Sequence, residues 1–178
     1  MEGKKIVLGV TGGIAAYKAP LIVRLLKTQG AEVRCVMTRN AEEFVTALTL
    51  QTVSKNKVYI ETFEKHGVWN PEHIALSDWG DIMLVAPATA NCIGKYAAGI
   101  ADDLLTTTLL AFGGKVVIAP AMNDKMYSNP IVQRNIKTLK EFGVEFIEPI
   151  VGELACGAVG QGKMEEPEKI VEFIKSRL

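Results

Sequence analysis

The stretch Lys5-Ile6-Val7-Leu8-Gly9-Val10-Thr11-Gly12-Gly13-Ile14-Ala15-Ala16-Tyr17-Lys18 decides how the rest of the chain is read. Lys5 to Val10 is a continuous run rich in β-branched residues, the pattern of a strand buried on both faces. Thr11-Gly12-Gly13 breaks the run, and Ile14 to Gln29 then reads as a helix, with Leu21, Leu25 and Leu26 on one stripe and Gly30 at its end. The glycines at 9, 12 and 13 do not have the GxGxxG spacing, and no Lys-Ser/Thr pair follows at P-loop spacing. Two readings of the glycine pair remain. Its amides at a helix N-terminus hold a single phosphate, or the turn simply needs positive φ.

Outward from this unit, strands and helical stretches alternate. Strands are expected at Glu32–Met37, Val58–Ile60, Asp81–Ala86, Lys115–Ala119 and Val144–Ile147. Helices are expected at about Ala41–Leu50, Ala90–Ala97, Asp102–Phe112, Pro130–Phe142 and Pro167–Arg177. This alternation predicts an α/β fold: a single-domain, three-layer α/β/α Rossmann-like unit with a six-stranded parallel sheet, spanning residues 1–178. Such sheets bind ligands at the carboxyl ends of their strands, near the point where strand order reverses. That rule selects Thr11–Ile14, Thr38–Arg39, Pro87–Asn91 and Pro120–Asn123. Two longer stretches, Thr62–Pro71 and the glycine-rich Pro149–Glu166, read as loops of the kind that cover sites.

Composition narrows the function classes. Over 178 residues, 48% are hydrophobic and 22% charged, near the average for globular proteins. Twenty basic side chains meet twenty acidic ones, so there is no basic excess for displacing counterions from a nucleic-acid backbone. The three cysteines, Cys35, Cys92 and Cys156, are far apart and without a CxxC pair, which argues against disulfides and structural zinc. Lys4 and Lys5 before an apolar run imitate a secretory leader, but Glu2 and the Thr11-Gly12-Gly13 break fit a buried first strand better. No run approaches the ~18 apolar residues a membrane helix needs. A cytoplasmic protein is the expectation.

Three polar residues stand where chemistry is expected. His73 follows Pro71-Glu72 at an apparent helix start, either as a surface or cap residue or as an acid–base group. His66 has no comparable context and reads as solvent-facing. Asn123 lies just past a strand end between Met122 and Met126, where its amide can bind a carboxylate or cap the next helix. Cys156 sits among Gly152, Gly157, Gly160 and Gly162, a setting too polar for a core thiol. Cys35, inside a strand, reads as inert. Cys92, beside Asn91, reads either way.

Taken together these motifs resemble the homo-oligomeric flavin-containing cysteine decarboxylases, with the likeness running over nearly the whole chain. His73-Ile74 is similar to that family's active-site histidine motif. Pro120-Ala121-Met122-Asn123-Asp124-Lys125-Met126-Tyr127 is similar to its PxMNxxMW motif, with Tyr127 in place of tryptophan. Ala155-Cys156-Gly157 through Gly162-Lys163-Met164 resembles its substrate clamp, although Ala158 stands where an acidic residue is common. Within the family, the likeness is to members acting on 4'-phosphopantothenoylcysteine in coenzyme A biosynthesis.

The resemblance implies FMN as cofactor and no metal. It implies that Gly12, Gly13, Ile14, Thr38, Arg39, Thr89, Ala90, Asn91, Thr106, Ala121 and Met122 lie near FMN. It further implies His73 as the base in thiol oxidation, Asn123 as the carboxylate holder and Cys156 as the proton donor in the reductive step. Asn123, Met126, Ala155 and Lys163 are then the substrate contacts. Trimers or multiples of trimers such as dodecamers are implied, with FMN at subunit contacts and His73 acting toward a neighbour's flavin. A phosphopantothenoylcysteine synthetase, fused or separate, is an implied partner.

An N-acylated cysteine cannot simply lose CO2, because the carbanion has no electron sink. Oxidation of its thiol to a thioaldehyde provides one; CO2 loss then leaves an enethiolate, which is reduced and protonated. Three other readings share the fold. A flavin prenyltransferase needs a prenyl phosphate site and no Cys156 clamp. A non-catalytic FMN-binding regulatory subunit needs none of His73, Asn123 and Cys156. A peptide-cysteine decarboxylase stops at the enethiol and has no reductive step for a clamp cysteine to serve.

Overall fold

Six strands, β1 (Lys5–Val10), β2 (Glu32–Met37), β3 (Val58–Tyr59), β4 (Ile82–Ala88), β5 (Lys115–Pro120) and β6 (Glu145–Phe146), form one sheet in the order β3-β2-β1-β4-β5-β6. All five pairings are parallel. The computed structural model describes residues 1–63, 71–153, 157 and 159–178. Strand order runs one way from β1 through β2 to β3 and the other way from β4 to β6, so the reversal falls between β1 and β4.

Successive side chains of β1 enter different cores, as a strand covered on both sides requires. Ile6, Leu8 and Val10 pack with Ile22, Val23 and Leu26 of α1 (Ala19–Thr28), Leu50 of α2 (Ala47–Ser54), and Ile170, Val171 and Ile174 of α8 (Pro167–Lys175). Val7 packs on the opposite face with Leu76 of α3 (Glu72–Trp79) and Ile93 of α4 (Ala90–Ala97). Leu104, Leu105 and Leu109 of α5 (Leu104–Ala111) join it, as do Ile136 and Leu139 of α7 (Pro130–Glu141). The three-layer α/β/α arrangement with six parallel strands is the one the strand–helix alternation predicts.

Several local features differ from the sequence reading. The stretch from Ile14 is not one helix: Ile14–Lys18 is a 3-10 turn, and α1 begins at Ala19 with Pro20 in its first turn. Proline has no N–H to give and its ring crowds the carbonyl four residues back, so the α-helix starts there. The buried stripe of α1 is Ile22, Val23 and Leu26, while Leu21 is 49% exposed. The helix expected at Ala41–Leu50 is a 3-10 turn, Arg39–Glu43, followed by α2. Thr46 sets the start of α2, its Oγ1 accepting the Thr49 N–H at 3.2 Å.

Pro149–Glu166 contains regular structure. β7 (Ile150–Glu153) and β8 (Val159–Lys163) pair antiparallel as a separate two-stranded ribbon. The ribbon docks on the main body through Gly160 and Gly162. A Cβ at Gly160 would come within 2.5 Å of Asp124 Cβ, and one at Gly162 would collide with the Met122 carbonyl oxygen. Only glycine allows that approach. The Met122 N–H donates to Gly162 O at 3.0 Å.

Lys18 fastens the chain just past the end of β8. Its side chain is 8% exposed and its Nζ donates to Glu166 Oε2 at 2.8 Å. That hydrogen bond holds the Glu166 carboxyl below the ordinary value of 4.5, against the opposing effect of burial. Because the carboxyl is depressed in the folded state, the pair stabilises the fold above the ordinary glutamate range and is lost as pH falls through the folded value. Glu166→Gln should therefore lower the melting temperature at pH 7 by roughly 3 °C, for a loss of about 1 kcal/mol. Near pH 3 it should melt close to wild type. Thermal melts at the two pH values check this, and an equal loss at both would refute the ion-pair account.

Candidate active site

The carboxyl ends of β1 and β4 are stitched together by Thr11. Its Oγ1 donates to Pro87 O at 2.9 Å and accepts the Thr89 N–H at 3.0 Å, and its own N–H donates to Pro87 O. Above this stitch lies a cleft of about 580 Å3. Its walls are the turn after β1 (Thr11, Gly12), the segment after β2 (Thr38, Arg39, Asn40) and the segment after β3 (Ile60, Glu61, Thr62). The first turn of α4 (Thr89, Ala90, Asn91, Cys92), Lys95, the head of α5 (Asp102, Asp103, Leu104, Thr106) and Met126 complete it.

Local rules place each wall. Thr89 caps α4, its Oγ1 accepting the Cys92 N–H at 3.3 Å, so the first amides of that helix face the cleft. Asp103 and Thr106 form a reciprocal capping box at the head of α5. Neither Gly12 nor Gly13 takes a positive φ, so the turn has no need of one. Gly12 is instead required by closeness, since a Cβ there would lie 2.5 Å from Asn40 Cβ.

Charge in the cleft is internally paired. Arg39 forms a two-pronged contact with Glu61, at 2.8 and 2.6 Å, and Lys95 contacts Asp102 at 2.8 Å and Asp103 at 3.6 Å. These contacts hold Glu61 and Asp102 below their ordinary range. With three carboxylates against two cations, a phosphate-bearing ligand depends on neutral donors here: hydroxyls and helix-terminal amides. Thr38 Oγ1 is one such group. It is buried and, among the described residues, has no hydrogen-bond partner.

The structure gathers Gly12, Thr38, Arg39, Thr89, Ala90, Asn91, Thr106 and Met126 into the cleft wall. It does not bring Gly13, Ile14, Ala121 or Met122 there. Ile14 is 58% exposed, and Ala121 and Met122 pack partly buried against the two cores. Sequence reading did not single out Asn40, Ile60, Glu61, Lys95, Asp102, Asp103 or Leu104, and reached Thr62 only as the start of a covering loop. The rule of looking past strand ends reaches Asn40 and Glu61, but nothing local marks Lys95 or Asp102.

Asn123 caps α6 (Asp124–Tyr127), its Oδ1 accepting the Lys125 N–H at 2.9 Å. The capping reading is thus the observed one for the oxygen; the amide nitrogen is a donor of the kind a carboxylate accepts. Met126, on the same turn, reaches the cleft wall. Lys163, in β8, lies 3.6 Å from Glu166. His73 occupies the first turn of α3, half-buried, where Lys57 bridges to its neighbour Glu72 at 2.9 Å. It is outside the cleft wall of its own chain. Ala155, Cys156, Ala158 and His66 lie outside the described residues. Cys35 and Cys92 are buried, and burial pushes both thiols up to about 12, which makes them poor nucleophiles. No three His, Cys, Asp or Glu among the described residues group as a metal site, and no described helix is long and apolar enough to cross a membrane.

The whole chain, residues 1–178, matches the family model described as Flavoprotein. The coenzyme A biosynthesis bifunctional protein CoaBC of Bacillus subtilis (strain 168) is 51% identical over 173 residues, 97% of this chain and 43% of that protein. CoaBC of Escherichia coli (strain K12) is 44% identical over 97% of this chain and 43% of its own length. The chain thus spans less than half the length of these curated relatives. Among solved structures, a PPC decarboxylase variant complexed with pantothenoylaminoethenethiol matches with TM-score 0.87 and 33% identity, covering 98% of each chain. The FMN-dependent cysteine decarboxylase SpaF matches with TM-score 0.82 and 34% identity, covering 98% of this chain and 97% of that one.

Proposed function

The chain belongs to the Flavoprotein family, and from that premise we propose that it is an FMN-dependent phosphopantothenoylcysteine decarboxylase. It converts 4'-phosphopantothenoylcysteine to 4'-phosphopantetheine in coenzyme A biosynthesis. The observation that carries this reading is one short segment, Met122 to Tyr127 with α6 at its end, that serves two places at once: Met126 lines the cleft while Met122 is bonded to the ribbon. Asn123 heads that turn, so an acyl-cysteine carboxylate held by its amide lies beside whatever fills the cleft.

The residues present fit FMN. A cleft of about 580 Å3 is within the range of cofactor sites, and the buried, unpartnered Thr38 hydroxyl is ready for a ligand oxygen. Thr38, Thr89 and the first amides of α4 would hold the ligand. When bound, FMN supplies a reversible two-electron redox couple; binding, orientation and proton movement belong to the protein. His73 takes the thiol proton during oxidation. Asn123 fixes the carboxylate so that the C–CO2 bond breaks beside the new C=S group. Cys156 delivers a proton to the enethiolate as it is reduced. His73 stands away from the cleft wall of its own chain, which supports a trimer or multiple of trimers in which it serves a neighbour's site. The chain works in the cytoplasm beside a phosphopantothenoylcysteine synthetase, fused or separate.

Incubation of the FMN-loaded chain with phosphopantothenoylcysteine should release CO2 and give the saturated thiol. A protein that binds FMN but releases no CO2 from this substrate would be a regulatory subunit, a prenyltransferase or a peptide-cysteine decarboxylase instead. The purified chain should be yellow. Thr38→Val tests the cradle without activity: removing an unpartnered buried hydroxyl should leave the apo melting temperature unchanged or raised. The same change should weaken FMN about tenfold, the loss of one hydrogen bond. Unaltered FMN affinity would remove Thr38 from the site.

A further inference from the structure

The α6 turn has a second fastening at its other end. The Tyr127 ring is 7% exposed within the core of one sheet face, yet its hydroxyl leaves that core and donates to Glu148 Oε2. The other Glu148 oxygen accepts from Lys140 Nζ of α7 at 2.6 Å. Burial works against the Glu148 carboxylate, but the bonds from Lys140 and Tyr127 outweigh it and hold the group below its ordinary range. At neutral pH it is a charged acceptor, the stronger kind. Glu148 stands at the root of the ribbon, two residues before β7 begins at Ile150. Gln133 Nε2 adds a bond to Tyr127 O at 2.6 Å.

The turn bearing Asn123 is therefore tied to both arms of the ribbon: Met122 to Gly162 in β8, and Tyr127 to Glu148 at the base of β7. A single hydrogen bond is a pivot. Two, five residues apart on the turn, fix an orientation. By sequence, the connection between the arms carries Cys156.

We propose that Tyr127 and Glu148 are positioning residues, which hold the Asn123 turn in register with the β7–β8 ribbon and so set how much decarboxylated intermediate reaches the saturated product. The product half of this proposal rests on the decarboxylase reading; the register half does not. If the turn pivots, the carboxylate holder and the ribbon no longer face one substrate, and the enethiol escapes before it is protonated and reduced.

The test compares wild type, Tyr127→Phe, Glu148→Gln and Glu148→Ala as FMN-loaded full chains. Phenylalanine preserves the ring packing and removes one hydrogen bond. Glutamine keeps an acceptor for the phenol and gives up only the half-exposed Lys140 pair. Amide hydrogen exchange over residues 120–127 and 148–153 should rise about tenfold in Tyr127→Phe and Glu148→Ala, the weight of one hydrogen bond to a charged group. Exchange in β1 and β4 should not change. In the same two variants KM for phosphopantothenoylcysteine should rise about tenfold, and mass spectrometry should show a larger enethiol share of product. Glu148→Gln, which keeps a neutral acceptor in place of the charged one, should fall between wild type and Glu148→Ala in every readout. Wild-type exchange in Tyr127→Phe, or equal damage from Glu148→Gln and Glu148→Ala, overturns the assignment. Faster exchange with KM and product ratio unchanged overturns its functional half. Absence of CO2 release by the wild type would defeat the decarboxylase reading, while the exchange contrast would still decide the register.

Discussion

Cys156→Ser should turn the protein into an enzyme that oxidises and decarboxylates but does not finish. The thiol is assigned to protonation after CO2 has left, so the steps before it survive the change. A serine hydroxyl is a far weaker acid than a thiol, whose pKa is about 8.5 when unperturbed. In a single anaerobic turnover the flavin absorbance should bleach and stay bleached, with the enethiol as product. In air, reoxidation should allow repeated turnover to the same enethiol. Mass spectrometry separates the outcomes, since the enethiol is two hydrogens lighter than phosphopantetheine. Release of the saturated product at the wild-type rate would move the proton donor elsewhere and leave the ribbon as a cover only.

His73→Asn should lower turnover by about 10^3-fold, the scale of a lost general base, while FMN remains bound. The amide matches the imidazole in size but has no basic nitrogen to take a thiol proton. Anaerobic mixing with substrate should give no flavin bleaching. His73 lies in the first turn of α3 and away from its own chain's cleft wall, so a second result is expected. Mixed oligomers of His73→Asn and Asn123→Ala subunits should regain part of the activity that neither variant has alone. Recovery requires a site built from the His73 of one subunit and the Asn123 of another. No recovery after verified subunit exchange would place both on one chain.

How much of this was legible in sequence depends on what holds each part in place. The sheet was, because β1, β4 and β5 are buried on both faces and leave continuous apolar runs that need no partner to be recognised. Helix starts were less so. Pro20 and Thr46 move them, and both effects lie in backbone chemistry rather than in apolar periodicity. The ribbon was missed altogether: Val159-Gly160-Gln161-Gly162-Lys163 has almost no strand propensity and is extended because β7 and the α6 turn accept it. The cleft divides in the same way. Thr38, Thr89 and Asn91 follow strand ends, where topology alone directs attention. Lys95, Asp102 and Asp103 reach it only through the docking of α4 and α5, which no local pattern announces. Ile14 and Met122 lie in the same strand-end segments but outside the wall, Ile14 exposed and Met122 packed against a core.

Gly160 and Gly162 alternate with Gln161, whose side chain turns back to Pro149 O. The bare positions thus form a mould taken from Asp124 and Met122, and the mould restricts how the protein can diversify. Side chains elsewhere on the paired strands, such as the exposed Val151 and Val159, can vary without disturbing the seat. Any side chain at 160 or 162 must instead push the α6 turn aside, and with it the head of the turn at Asn123. The footing of the ribbon accordingly admits change only if the opposing turn is rebuilt in the same step.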